Sequence, residues 1–124
     1  MTNLTYKEES YEIVGICMDV YNELRKGFLE IVYKDALTYE FKKRNIPFER
    51  EKEFEIRYKE VMLPHCYYAD FVVFDKIILE IKSKNSIAEE HVAQAINYLA
   101  VSKFKLALII NFGEKSLKYK RVVL

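Results

Sequence analysis

Three charged side chains stand inside a segment that otherwise reads as buried strand. From Tyr67 to Ile81 the chain is nearly continuous in Val, Ile, Phe and Tyr, yet Asp70 lies between Ala69 and Phe71. Glu80 and Lys82 interrupt the run Ile77-Ile78-Leu79-Glu80-Ile81-Lys82. Burying an unpaired charge costs several kcal/mol, so such groups must be paired, bound to metal or placed at a cleft. Strand alternation puts Glu80 and Lys82 on one face. Two carboxylates brought to one face form a hard-oxygen site suited to Mg²⁺, which takes few protein ligands and keeps several waters. An ammonium beside them could orient an attacking water or stabilise charge developing on a phosphate. The competing reading is an internal ion pair, Lys82 with Glu80 or with Asp70, that satisfies only itself.

Whether the carboxylates meet depends on the hairpin that joins their strands, expected over about 66–74 and 77–83. A two-residue turn at Asp75-Lys76 would put Asp70 and Glu80 on opposite faces, because a one-residue slip reverses every side chain. A three-residue loop, Phe74-Asp75-Lys76, pairs Val73 with Ile77 and sets Asp70 across from Glu80. Asp-Lys is a poor two-residue turn, since type I′ needs positive φ twice and no glycine is present. An odd-length connection is therefore expected.

The remaining elements surround this hairpin. Thr5-Tyr6-Lys7-Glu8 has capping-box spacing and opens a helix over about 6–25, with Ile13, Cys17, Val20 and Leu24 on its apolar stripe. Gly27 breaks it. A second helix, about 28–45, carries Leu29, Val32, Tyr33, Ala36 and Leu37, and ends at Lys42-Lys43-Arg44 before Pro47. Residues 48–63 alternate charged and apolar side chains, as a half-exposed strand or hairpin does. A second capping box, Ser86-Ile87-Ala88-Glu89, opens a helix to about Ser102. That helix has no charge from His91 to Ser102, which predicts cover on more than one side. Leu106–Phe112 reads as a buried strand and Tyr119–Leu124 as another. Helices before and after a strand meander, with a strand behind the last helix, predict a three-layer α/β/α fold with a mixed central sheet.

The 124 residues suit one domain, 1–124. Three glycines and two prolines leave nothing for a Gly-rich phosphate loop or a flexible linker. With 20 Lys+Arg against 19 Asp+Glu the net charge is +1, which excludes a strongly basic coat. Any nucleic-acid contact must come from a local patch, such as Lys115, Lys118, Lys120 and Arg121, a segment that a charged strand edge explains equally well. Cys17 and Cys66 suit a reducing compartment, and with His65 they form a poor zinc set. No basic stretch followed by an apolar one opens the sequence, and no apolar run approaches the ~18 residues of a membrane span. A cytoplasmic protein without membrane contact is expected.

Gly27-Phe28-Leu29-Glu30-Ile31-Val32-Tyr33 resembles the Gly-x-x-Glu-x-x-Tyr signature of the GxxExxY family. Tyr68-Ala69-Asp70-Phe71, Glu80-Ile81-Lys82, Gln94–Leu99 and Ile110-Asn111-Phe112-Gly113 resemble its other landmarks in the same order, over about Tyr11 to Arg121. That family is placed among the PD-(D/E)XK nucleases, whose core is a helix, three strands, a helix and a strand. The resemblance implies that Asp70 and Glu80 bind Mg²⁺, with Mn²⁺ able to substitute. It further implies that Lys82 works on the water, that Glu30 completes the acidic site from its helix, and that Gln94 supports it. Ala69 departs from the usual Pro, and Arg25-Lys26 precede Gly27 where relatives often carry Gly-Pro.

Two classes of function follow. One is a Mg²⁺-dependent nuclease-like domain that hydrolyses phosphodiester bonds of DNA or RNA. The other is a non-catalytic binding or assembly module that keeps the scaffold and works through a stable partner or a homodimer. Gly27 and Glu30 supply a geometric expectation: Gly27 admits a close chain approach, and Glu30 comes within one bridging water of Asp70 and Glu80.

Overall fold

The structure, a computed structural model, describes residues 5–124. Helices α1 (Lys7–Leu24) and α2 (Glu30–Lys43) precede a long hairpin, β1 (Phe48–Tyr58) and β2 (Val61–Val73). Strand β3 (Ile77–Lys82), helix α3 (Glu89–Ser102), and strands β4 (Leu106–Asn111) and β5 (Lys118–Val123) follow. The five strands form one sheet in sequence order. Only β3 and β4 are parallel, because α3 is the crossover between them; the other neighbours run antiparallel.

A core lies on each face of the sheet, as the expected three layers require. On one face α1 and α2 bury Ile13, Ile16, Cys17, Tyr33, Leu37 and Phe41 against Phe71, Leu79, Ile81, Ile110 and Phe112. On the other, Ala95 and Leu99 of α3 pack on Tyr67, Ala69, Ile78, Ala107 and Ile109. Strands β3 and β4, covered on both sides, are the ones with near-continuous apolar sequence.

The hairpin passes from one core to the other. Phe48, Phe71 and Val73 belong to the α1/α2 side, whereas Phe54, Tyr67 and Ala69 belong to the α3 side. Between these halves stand Glu51 and Asp70. Glu51 takes a left-handed conformation, φ 55°, which is uncommon for a residue with a side chain. Paired positions are found on both sides of it, Arg50 with Phe71 and Lys52 with Ala69, so the strand count is kept while its local geometry is broken.

Several details differ from expectation. The capping boxes at Thr5 and Ser86 do not form. Helix α1 starts after Tyr6, itself left-handed at φ 52°, and the Arg121 guanidinium occupies the Thr5 carbonyl at 2.6 Å. Helix α3 starts after Ala88, whose N–H donates to His91 Nδ1 at 3.0 Å, so His91 is a capping residue. The buried face of α2 is Tyr33, Lys34, Leu37 and Phe41, while Leu29 precedes the helix and is exposed. Helix α3 is covered on one side only, since Gln94, Ile96 and Asn97 are exposed. Gly27 is required by its φ of 119°, not by a close approach, for a Cβ there would meet nothing within 4 Å.

Candidate metal centre

The loop joining β2 to β3 has three residues, Phe74-Asp75-Lys76, and Val73 pairs with Ile77, Val72 with Ile78 and Phe71 with Leu79. The same register carries Asp70 to Glu80. Phe74 and Asp75 both accept positive φ, 58° and 56°, without a glycine; the Phe74 N–H is held by the Pro47 carbonyl at 2.9 Å.

At Asp70 and Glu80 the ladder passes from backbone carbonyls to side chains. The Asp70 N–H donates to Glu80 Oε2 at 2.9 Å, and the Ile81 N–H donates to Asp70 Oδ2 at 2.8 Å. Each carboxylate is thus fixed by the other strand's backbone. Glu80 is buried, with the Tyr67 hydroxyl 3.4 Å from Oε2. Tyr67 is in turn stacked face to face on Tyr98 of α3.

Burial, and then the neighbouring Asp70 charge, push the Glu80 carboxyl up to about 8, against the smaller opposing pull of the Asp70 N–H, Lys82 and Tyr67. The folded metal-free chain therefore holds a proton that the unfolded chain releases near 4.5. Between those values the native state binds more protons, so stability falls as pH rises from about 4.5 to about 8 and levels off above. The slope contributed by this one group approaches about 1.4 kcal/mol per pH unit in mid-window. Thermal unfolding in chelator from pH 5 to 8.5 should show this decline, and Glu80→Gln should flatten it. An unchanged slope in that variant would assign the decline to other groups.

Lys82 pairs with Asn111 in the parallel β3–β4 ladder and is half-buried. It forms no ion pair among the described residues, so neither pairing expected for it is present. The ammonium that meets Asp70 comes instead from α2: Lys34 Nζ lies 3.1 Å from Asp70 Oδ1 and also bonds Glu51. Burial pulls the Lys34 ammonium down, but the Glu51 hydrogen bond and the Asp70 charge outweigh it and hold its pKa above the usual lysine value. Sequence reasoning missed Lys34. The signal was there: residues 34, 37 and 41 share one helical face, and two of the three are Leu and Phe.

Glu30, the first residue of α2, is not in open solvent. Its Oε2 accepts the Ser83 N–H at 3.1 Å, and Ser83 Oγ donates to the Phe28 carbonyl at 2.9 Å. The Tyr33 hydroxyl donates to the Arg25 carbonyl at 2.6 Å and accepts the Phe28 N–H at 3.2 Å. The segment from Gly27 to Tyr33 therefore acts as a brace, binding the α1–α2 turn to the end of β3. Gln94 is exposed on α3.

Asn111 and Gly113 secure the same end of β3 from the other side. Fully buried Asn111 accepts the Lys84 and Gly113 N–H groups at 2.9 and 3.1 Å. Its amide donates to the Lys84 carbonyl at 3.0 Å and to Glu114 Oε2 at 2.8 Å. A Cβ on Gly113 would lie 2.3 Å from the Lys84 carbonyl oxygen, so only glycine fits there.

Asp70 and Glu80 fit a hard divalent cation. They are two carboxylates across one hairpin, each fixed by an N–H of the opposite strand. Among the described residues no group of three His, Cys, Asp or Glu is ready to hold a metal, so a cation here would keep several waters, as Mg²⁺ does.

The fold is that of a nuclease-like domain. The chain matches the model of the PD-(D/E)XK nuclease superfamily over residues 7–122 and belongs to that superfamily, whose nucleases generally use divalent metals. It is similar in fold to a crystal structure of SSO0001, with a TM-score of 0.59 at 18% identity, covering 95% of this chain. The chain spans 59% of that protein's length. No curated protein matches it. No helix among the described residues is long and apolar enough to cross a membrane.

Proposed function

We propose that this chain is a Mg²⁺-dependent nuclease of the GxxExxY type that hydrolyses phosphodiester bonds of DNA or RNA. The observation that carries the reading is the carboxylate exchange across the β2–β3 register, where Asp70 and Glu80 each accept an N–H of the opposite strand. Asp70 and Glu80 would hold the cation, which when bound supplies Lewis-acid polarisation of the phosphate and acidifies a water. Lys82 follows Glu80 on the same strand face and has no ion pair among the described residues, so its ammonium is available to orient the attacking water or to meet charge on the phosphate. Glu30 holds the backbone immediately after Lys82 and so positions that lysine. Gln94, open to solvent, would act only once substrate is present.

Calorimetric titration with Mn²⁺ and assays on DNA and RNA test the proposal together. Wild type should bind one cation at pH 7 and release a proton from Glu80 as it does so. Asp70→Asn and Glu80→Gln should each weaken binding at least about tenfold, the order of one lost carboxylate contact, and abolish cleavage. One observation favours the non-catalytic alternative: Lys34 already satisfies Asp70 without a metal. Wild type that takes up no cation, or Asp70→Asn that cleaves as well as wild type, would leave that alternative standing.

A further inference from the structure

We infer that Lys34 is a built-in competitor of the metal, and that Glu51 is the partner that retains its ammonium when a cation enters. The inference rests on the metal-site reading above and concerns residues that reading does not use.

Lys34 is nearly buried, its ammonium shared between two carboxylates of unequal character. Asp70 is mostly enclosed, its side chain 20% exposed, and it already accepts the Ile81 N–H through its other oxygen. Glu51 is half exposed and takes its left-handed conformation where β1 passes Asp70. That backbone conformation is costly for a glutamate and is kept where the surroundings over-determine it. The hydrogen bond from Lys34 provides a reason for keeping it.

Positive charge at Asp70 can come from the ammonium or from a divalent cation. Both at full strength would place like charges within a few ångströms in a partly dry site, which is strongly unfavourable. Metal binding must therefore work against the Lys34–Asp70 contact. Leaving the ammonium without a partner in its nearly buried position would add a further penalty. Glu51 removes it, because Lys34 can keep that bond while releasing Asp70. The three residues form a two-position device: the ammonium neutralises Asp70 when the metal is absent, and Glu51 retains it when the metal is present.

The device makes opposite predictions for its two members. Lys34→Met should bind Mn²⁺ about tenfold more tightly than wild type, a change of about 1.4 kcal/mol. In chelator its thermal midpoint should fall, because the mostly enclosed Asp70 carboxylate then loses its ammonium partner. Glu51→Gln should bind Mn²⁺ several-fold more weakly, since Lys34 loses its alternative partner. Loss of a nearby negative charge alone would also weaken binding, so the double variant decides. On the Lys34→Met background, Glu51→Gln should have no further effect, because Glu51 acts through Lys34.

Mn²⁺ titration followed by electron paramagnetic resonance reads all four proteins without any assay of cleavage, and circular dichroism confirms that each is folded. The inference is overturned if folded Lys34→Met binds Mn²⁺ no more tightly than wild type. It is also overturned if Glu51→Gln weakens binding equally with and without Lys34. Should Lys34→Met not fold, Glu51→Gln compared with Glu53→Gln, a carboxylate engaged by the Tyr68 hydroxyl instead, carries the test. Equal weakening in those two variants overturns the inference. Failure of every protein to bind Mn²⁺ sinks the metal site and the device with it, whereas wild-type binding unchanged by Lys34→Met removes the device alone.

Discussion

Replacing Lys82 by methionine is expected, on the proposed nuclease reading, to lower Mg²⁺-dependent cleavage by about 10²–10³-fold, the cost of removing one preorganised charge from a transition state. Mn²⁺ affinity should stay within about threefold of wild type, since Lys82 makes no contact with Asp70 or Glu80 and meets Glu80 only through its charge. Methionine keeps the length and apolar stem of lysine, so packing beside the buried ladder is preserved. The separation of the two readouts is the informative part. Asp70→Asn should lose both binding and cleavage, while Lys82→Met should lose cleavage alone. Full activity in Lys82→Met combined with loss in Lys34→Met would transfer the water-directed role to the helix lysine, whose ammonium is 3.1 Å from Asp70.

The contrast between these two lysines shows what the sequence could and could not reveal. Lys82 was legible because strand alternation is a local rule: a charge two residues from Glu80 in an apolar run must share its face. The register was legible for a similar reason, although part of the supporting premise fails. The Phe74-Asp75-Lys76 loop has the odd length expected, yet Phe74 and Asp75 adopt the positive φ that the absence of glycine argued against. A long-range hydrogen bond from Phe74 to Pro47 helps hold that conformation, and no local rule registers it. Lys34 depended on a contact 36 residues away in sequence. The passage of the hairpin between the two cores at Glu51 and Asp70 was hidden for a different reason. Even-numbered positions of β1 are the more buried ones both before and after Glu51, so the period of two continues while the partner layer changes. The uncharged stretch of α3 misled in the other direction. A helix needs one apolar stripe to dock, and the absence of charge on its other side did not require a second neighbour.

Asn111→Leu should lower stability by about 3–5 kcal/mol. Leucine matches asparagine in approximate size but offers none of its four hydrogen bonds. The Lys84 N–H and carbonyl and the Gly113 N–H lose their partner around a side chain with no exposure to water. An orphaned polar group that stays dry costs about 1–3 kcal/mol, and the part-buried Lys84 groups recover some of that where the loop relaxes toward solvent. For a chain of this size that is a fall in thermal midpoint of roughly 10–20 °C. Asn111→Asp separates the two halves of the side chain. It keeps acceptors for both N–H groups but turns a carboxylate toward the Lys84 carbonyl and Glu114, so it should recover only part of the loss. The damage should reach the metal centre as well. Lys84 follows Ser83, whose N–H is held by Glu30, and Ser83 follows Lys82; freeing that loop leaves the end of β3 held by the Glu30 brace alone. On the proposed nuclease reading, cleavage per folded molecule should therefore fall in Asn111→Leu even below its unfolding temperature, while Mn²⁺ binding, assigned in that reading to Asp70 and Glu80 further back in the hairpin, is retained. A loss of less than about 1 kcal/mol, within the range of an ordinary surface substitution, would mean that the Lys84 loop is held by something other than Asn111.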